Sequence, residues 1–232
     1  MGRLNYSTIL AKYKRAGKGN VRLTQSTLFM SKAIDATKTT YNFDVLETQN
    51  ATLVADEIRL NLNDEFIITT MGIYLQAELL VGGAASGIKR LLTYAPQQVD
   101  GVVASKVQNL YAGALQISVN NIVYLDKWDT RKHEVVPRTQ EEGFIAAAAA
   151  FQASKGSLSS AQFSKDAMFP VEPLITLSGA KKTNIVLNVP TALTPGSITI
   201  KDNAAQDQVW SINRIGILVR GLNAQNAASF QN

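Results

Sequence analysis

Residues 58–80 read IRLNLNDEFIITTMGIYLQAELL, and the spacing of their apolar side chains decides the fold class. Ile58, Leu60 and Leu62 alternate with Arg59, Asn61 and Asn63, the two-residue period of a strand with one wet face. Asn63-Asp64-Glu65 interrupts the pattern with turn-forming side chains. Phe66-Ile67-Ile68 is apolar throughout. Alternation then resumes, with Ile73, Leu75, Ala77 and Leu79 on one face and Tyr74, Gln76 and Glu78 on the other. This predicts the middle of an antiparallel β-sheet, and a mainly β protein.

The flanking sequence extends the reading. Val81-Gly82-Gly83-Ala84-Ala85-Ser86-Gly87 reads as a flexible loop. Leu115, Ile117 and Val119 alternate with polar neighbours, and Asn120-Asn121 tolerates positive φ, so a hairpin returning through Ile122-Val123-Tyr124-Leu125 is expected. A second hairpin is expected from Leu174–Leu177, through Ser178–Thr183, to Ile185, Leu187 and Val189, stopped by Pro190. Ile198 and Ile200 suggest a short strand. Trp210 and Ile212 share one parity while Ile215, Ile217 and Val219 take the other, which predicts a bulge near Asn213. Thr139 with Glu142 forms a capping-box pattern that opens an Ala-rich helix near 139–153. No fixed-period repeat is present. The expected organisation is a basic arm and extended segment at 1–50, one β body at 51–220 with the helix inserted, and a polar tail at 221–232.

Composition narrows the function classes. With 46% hydrophobic and 18% charged residues in 232, the chain has the make-up of a folded globular protein. The absence of cysteine excludes disulfides and thiolate metal sites. No apolar run approaches the roughly 18–20 residues of a membrane span. Ile9-Leu10-Ala11 is cut short by Lys12, so no signal peptide and no export by that route are expected. Seven cations (Arg3, Lys12, Lys14, Arg15, Lys18, Arg22 and Lys32) precede the first acid, Asp35. They exceed the net charge of +5, so the remainder is slightly acidic. Arg3, Lys12, Lys14, Arg15, Lys18 and Arg22 are the candidate contacts to nucleic acid, an anionic membrane surface or an acidic partner. Ile9, Leu10 and Tyr13 would form the apolar side of a short helix ended by Gly17-Lys18-Gly19-Asn20. The competing reading is a solvated terminus.

Catalytic chemistry is not legible. Gly83–Lys89 resembles a phosphate loop only superficially, because the spacing is wrong and no Ser or Thr follows the lysine. Neither a dinucleotide fingerprint nor a nucleophile elbow occurs. The one histidine, His133, stands near Asp126, Asp129 and Glu134, a set that suits a hard cation but has no metal-site spacing. The expectation is a non-enzyme without metal or cofactor. Trp128, Tyr124 and Trp210 are candidates for a sugar-stacking platform.

Arg59–Ile68, Leu174–Leu177, Asn184–Pro190 and Ile215–Arg220, together with few charges, abundant Asn, Gln, Thr and Ala, no cysteine and a basic arm, resemble the jelly-roll capsid proteins of icosahedral bacteriophages. The resemblance covers roughly residues 50–220 and is one of style, without a diagnostic motif. It implies an antiparallel β-sandwich of jelly-roll type, with one roll because two would be cramped. It also implies a virion structural protein made in the host cytoplasm, a shell-forming or shell-decorating subunit that self-assembles. Its partners would be copies of itself and other capsid proteins, with no small-molecule substrate. The arm would reach a neighbouring subunit, the genome or an internal membrane. No catalytic residue is carried over. The alternative is a carbohydrate- or receptor-binding β-sandwich module.

Overall fold

The computed structural model describes residues 6–18, 21–46, 57–93, 109–135, 167–192, 199–201 and 208–228. One helix, α1 (Tyr6–Arg15), precedes the strands β1 (Arg22–Ala33), β2 (Thr40–Phe43), β3 (Glu65–Val81), β4 (Ala84–Leu92) and β5 (Ala114–Val119). β6 (Ile122–Asp129), a 3-10 turn (Thr130–His133), β7 (Phe169–Ser178), β8 (Thr183–Asn188), β9 (Thr199–Lys201) and β10 (Gln208–Gln225) follow. The predicted helix near 139–153 lies outside the described residues.

Two antiparallel sheets form a β-sandwich. In the first, the order is β1-β10-β3-β4, with β7 also on β3 and β9 also on β10. In the second, the order is β2-β8-β5-β6. Setting β4 and β9 aside, the remaining eight strands pair from the outside in: β1 with β10, β2 with β8, β3 with β7, and β5 with β6. These eight described strands thus pair as one long antiparallel ribbon. Two further pairings, β10 with β3 and β5 with β8, roll that ribbon into two layers.

Leu28 and Met30 (β1), Ile73 and Leu75 (β3), and Ile215 and Ile217 (β10) meet Tyr41, Phe43, Leu115, Ile117, Ile185 and Leu187 from the second sheet in one apolar core. Each such side chain, fully buried, stabilises the fold by about 1.5–3 kcal/mol. The outer face of the first sheet is covered as well. Phe29, Tyr74 and Leu218 pack there with Ala167, beneath Met168 and Val135. Tyr74 is therefore buried, and Gln76 is buried too, where the alternation predicted a wet face.

Several local expectations hold. Asn120 and Asn121 take φ of 51° and 63° and turn β5 into β6. The β10 register shifts between Ile212 and Arg214, which places a bulge at Asn213. Others are corrected. Residues 58–60 form isolated bridges to Phe29 and Leu46 instead of a strand. Arg59 is buried there because Glu57 takes its Nη2 at 2.7 Å. Gly82 and Gly83 (φ 56° and 82°) make a two-residue turn into β4 in place of a flexible loop. β7 and β8 are not a hairpin, since β7 pairs with β3 and β8 with β2 and β5, so residues 179–182 cross between sheets. Residues 23–50 are expected to lie along the body as an extended arm or edge strand, and up to Ala33 they form the edge strand β1. The last strand runs past residue 220 to Gln225, because Leu222 and Ala224 have an apolar neighbour in α1.

Candidate functional site

The basic arm is docked on the body. Ile9, Leu10 and Tyr13 share one face of α1 and pack on Val21, Leu23, Ile67, Leu222 and Ala224. Lys12, Lys14 and Arg15 fill its last turn, where cations oppose the negative end of the helix dipole. Gly17, at φ 75°, then turns the chain away. Tyr13 Oη donates to Glu65 Oε2 at 2.9 Å, and Lys18 Nζ donates to Glu65 Oε1 at 3.0 Å and to the Ala227 carbonyl at 2.6 Å. Burial, and secondarily the Glu65 charge, push the Tyr13 hydroxyl well above its ordinary pKa.

This geometry divides the predicted contact residues. Lys18 is nearly buried and its charge is spent on Glu65, so it is removed from the polyanion-contact set. The sequence reading missed this because the partner lies 47 positions away. Arg3 lies outside the described residues. Lys12, Lys14, Arg15 and Arg22 are exposed and make no ion pair among the described residues. Lys181, in the crossing between β7 and β8, joins them: it and Lys12 line the same groove of about 480 Å³. The sequence showed Lys181-Lys182 only as part of a turn.

That groove runs between α1 (Ile9, Lys12, Tyr13), the β3 and β7 residues Ile67, Leu174 and Thr176, and the β5–β6 hairpin residues Asn120, Ile122 and Tyr124. Ile122, Tyr124 and Leu174 are 58%, 45% and 43% exposed, so large apolar groups stand open beside the Lys12 and Lys181 ammonium groups, which make no ion pair among the described residues.

The loop around His133 is structural. Its Nε2 accepts from Trp128 Nε1 at 2.9 Å, and Nδ1 lies 2.8 Å from the Ala167 carbonyl, to which it donates. These partners assign the neutral tautomer. Burial dominates and holds the pKa down at about 4. Asp129 accepts from Arg131 on both oxygens, Nε on Oδ1 and Nη2 on Oδ2, which lowers its carboxyl to about 2, and Asp126 accepts from Gln116. Among the described residues no group of three His, Asp or Glu could hold a metal ion. The Lys132 ammonium sits 2.9 Å from the Trp128 ring centroid, so one face of that indole is already covered.

No family model, curated protein or solved structure matches this chain. No helix among the described residues is long and apolar enough to cross a membrane.

Proposed function

We propose that this protein is a virion structural protein, a shell-forming or shell-decorating subunit of jelly-roll type that works by assembly and not by catalysis. The observation that carries the reading is the outside-in pairing of eight strands, first with last and fourth with fifth, closed by β10 on β3 and β8 on β5. Such outside-in pairing of eight strands supports a jelly-roll reading, a fold common among capsid and lectin domains. The cations on α1 and at the start of β1 give the subunit one basic face for a polyanion, either genome or an acidic neighbour. The carbohydrate-binding alternative is weakened by the Lys132 ammonium over Trp128, which leaves Tyr124 as the better-exposed ring.

Sedimentation and electron microscopy of the purified protein test the reading, alongside mass spectrometry of purified particles. The expected result is concentration-dependent assembly and many copies per particle. A lone monomer at every concentration, absent from particles, refutes it. Charge reversal of Lys14, Arg15 and Arg22 should weaken DNA binding and flatten its salt dependence, by about one unit of slope for each phosphate no longer neutralised.

A further inference from the structure

We propose that the groove between α1 and the β5–β6 hairpin binds one single-chain amphiphilic anion of the fatty-acid class. Its head group lies at Lys12 and Lys181, and its alkyl chain runs along Ile9, Ile67, Ile122 and Leu174. The inference goes beyond assembly and does not depend on it.

Three observations converge. The groove's volume, about 480 Å³, falls within the range of small-ligand sites. Its apolar side chains include Ile122 and Leu174, both open to water in the chain as it stands. Its charge is complementary to an anion: Lys12 and Lys181 make no ion pair among the described residues. Among the described residues one carboxylate also lines the groove, that of Glu65, and its two oxygens are held by Tyr13 and Lys18. The ammonium of Lys18 cancels its charge locally.

The backbone at the groove favours an alkyl chain over a peptide. An extended peptide binds by adding a strand to an intact sheet edge. In the β5–β6 ladder the register shifts on both sides of Ile117 of β5, and Lys127 of β6 stands at φ 50°, so β6 is an irregular strand. On β7 the pairing jumps from Ile175 to Pro170, leaving residues 171–174 outside the ladder. Both lips are therefore irregular strands, poorly matched to the regular pairing of an added peptide strand. A hydrocarbon tail needs no such pairing.

The test is displacement of fluorescent cis-parinarate from the full chain by laurate, with methyl laurate as the uncharged control and phosphatidylglycerol vesicles as a bilayer arm. The expected result is saturable binding of one probe per chain and competition by laurate but not by methyl laurate. Affinity should fall about tenfold or more in Lys12→Glu/Lys181→Glu, and similarly in Ile122→Ser/Leu174→Ser. All four side chains are exposed, and unchanged melting temperatures check that the variants fold. Absence of saturable binding, or equal affinity after charge reversal, overturns the proposal. Binding to vesicles without binding of free laurate also overturns it, and makes the face a bilayer contact instead.

Discussion

Acidification from pH 7 to pH 4 should cost this protein stability through His133, the chain's only histidine. The imidazole is fully buried. As the neutral tautomer it donates to the Ala167 carbonyl and accepts from the Trp128 indole N–H. Protonation would set a second ring N–H against that indole donor and place a charge near Lys132. Burial chiefly, with Lys132 adding to it, lowers the pKa from an ordinary 6.5 to about 4. Between these values the unfolded chain binds the proton and the native chain does not. Stability therefore rises with pH across this window, is complete above about 6.5 and levels off below about 4. At about 1.4 kcal/mol per pH unit, the gap amounts to about 3 kcal/mol, a large share of the 5–15 kcal/mol that holds a typical domain together. Asp35 and Asp129, held near 2 by their Thr37 and Arg131 hydrogen bonds, lose their contributions mainly below this window. Urea denaturation from pH 4 to 7.5 should show the slope in the native sequence. His133→Gln keeps a donor and an acceptor but cannot titrate, and should be less stable at pH 7 yet nearly flat across the window. NMR of the single imidazole should give a native midpoint near 4. A midpoint within half a unit of 6.5, or the same slope in the variant, would refute the reasoning.

Lys18→Met should leave the Glu65 carboxylate beneath α1 without its cation, though still hydrogen-bonded by Tyr13, and cost about 3 kcal/mol in urea denaturation. Lys18→Met/Glu65→Gln should recover most of that, and hydrogen exchange should show α1 loosening first. A single-variant loss below about 0.5 kcal/mol would mean that the pair is solvated and weak. Gly221→Ala would drive a methyl group into the Ile67 carbonyl oxygen of the neighbouring strand. Thermal melting should report about 1–3 kcal/mol of destabilisation, and an unchanged melting temperature would contradict the close approach.

Features set by neighbouring residues were legible in the sequence. Asn120-Asn121 dictates its turn, and the parity switch between Ile212 and Ile215 forces a bulge at Asn213. Features set by distant residues were not. Leu174–Leu177 and Ile185–Val189 have the apolar spacing of a hairpin, but that spacing carries no information on which sheet each strand joins. Arg59 has the look of a wet-face residue until Glu57, bound to Ser31, holds its guanidinium in the interior. Lys18 has the look of a free cation until the fold brings Glu65 beneath it. The site was legible as a cluster of positive charge on residues 12–22. Its second wall, Ile122, Leu174 and Lys181, was hidden because three separate segments supply it.

The position of β10 also constrains how the molecule is made. It lies hydrogen-bonded between β1 and β3, with Arg22 opposite Gln225 at one end of the ladder. Of the described strands it is the last to leave the ribosome, so β1 and β3 are synthesised long before their shared partner. Such long-range closure slows folding, and until it occurs each nascent chain carries two open strand edges of the kind that pair with any available strand. A neighbouring chain's β10 fits the same gap. Crowded synthesis therefore favours molecules that trade this strand with one another, and holding newly made chains apart until residues 208–225 have inserted would raise the yield of correctly closed monomers.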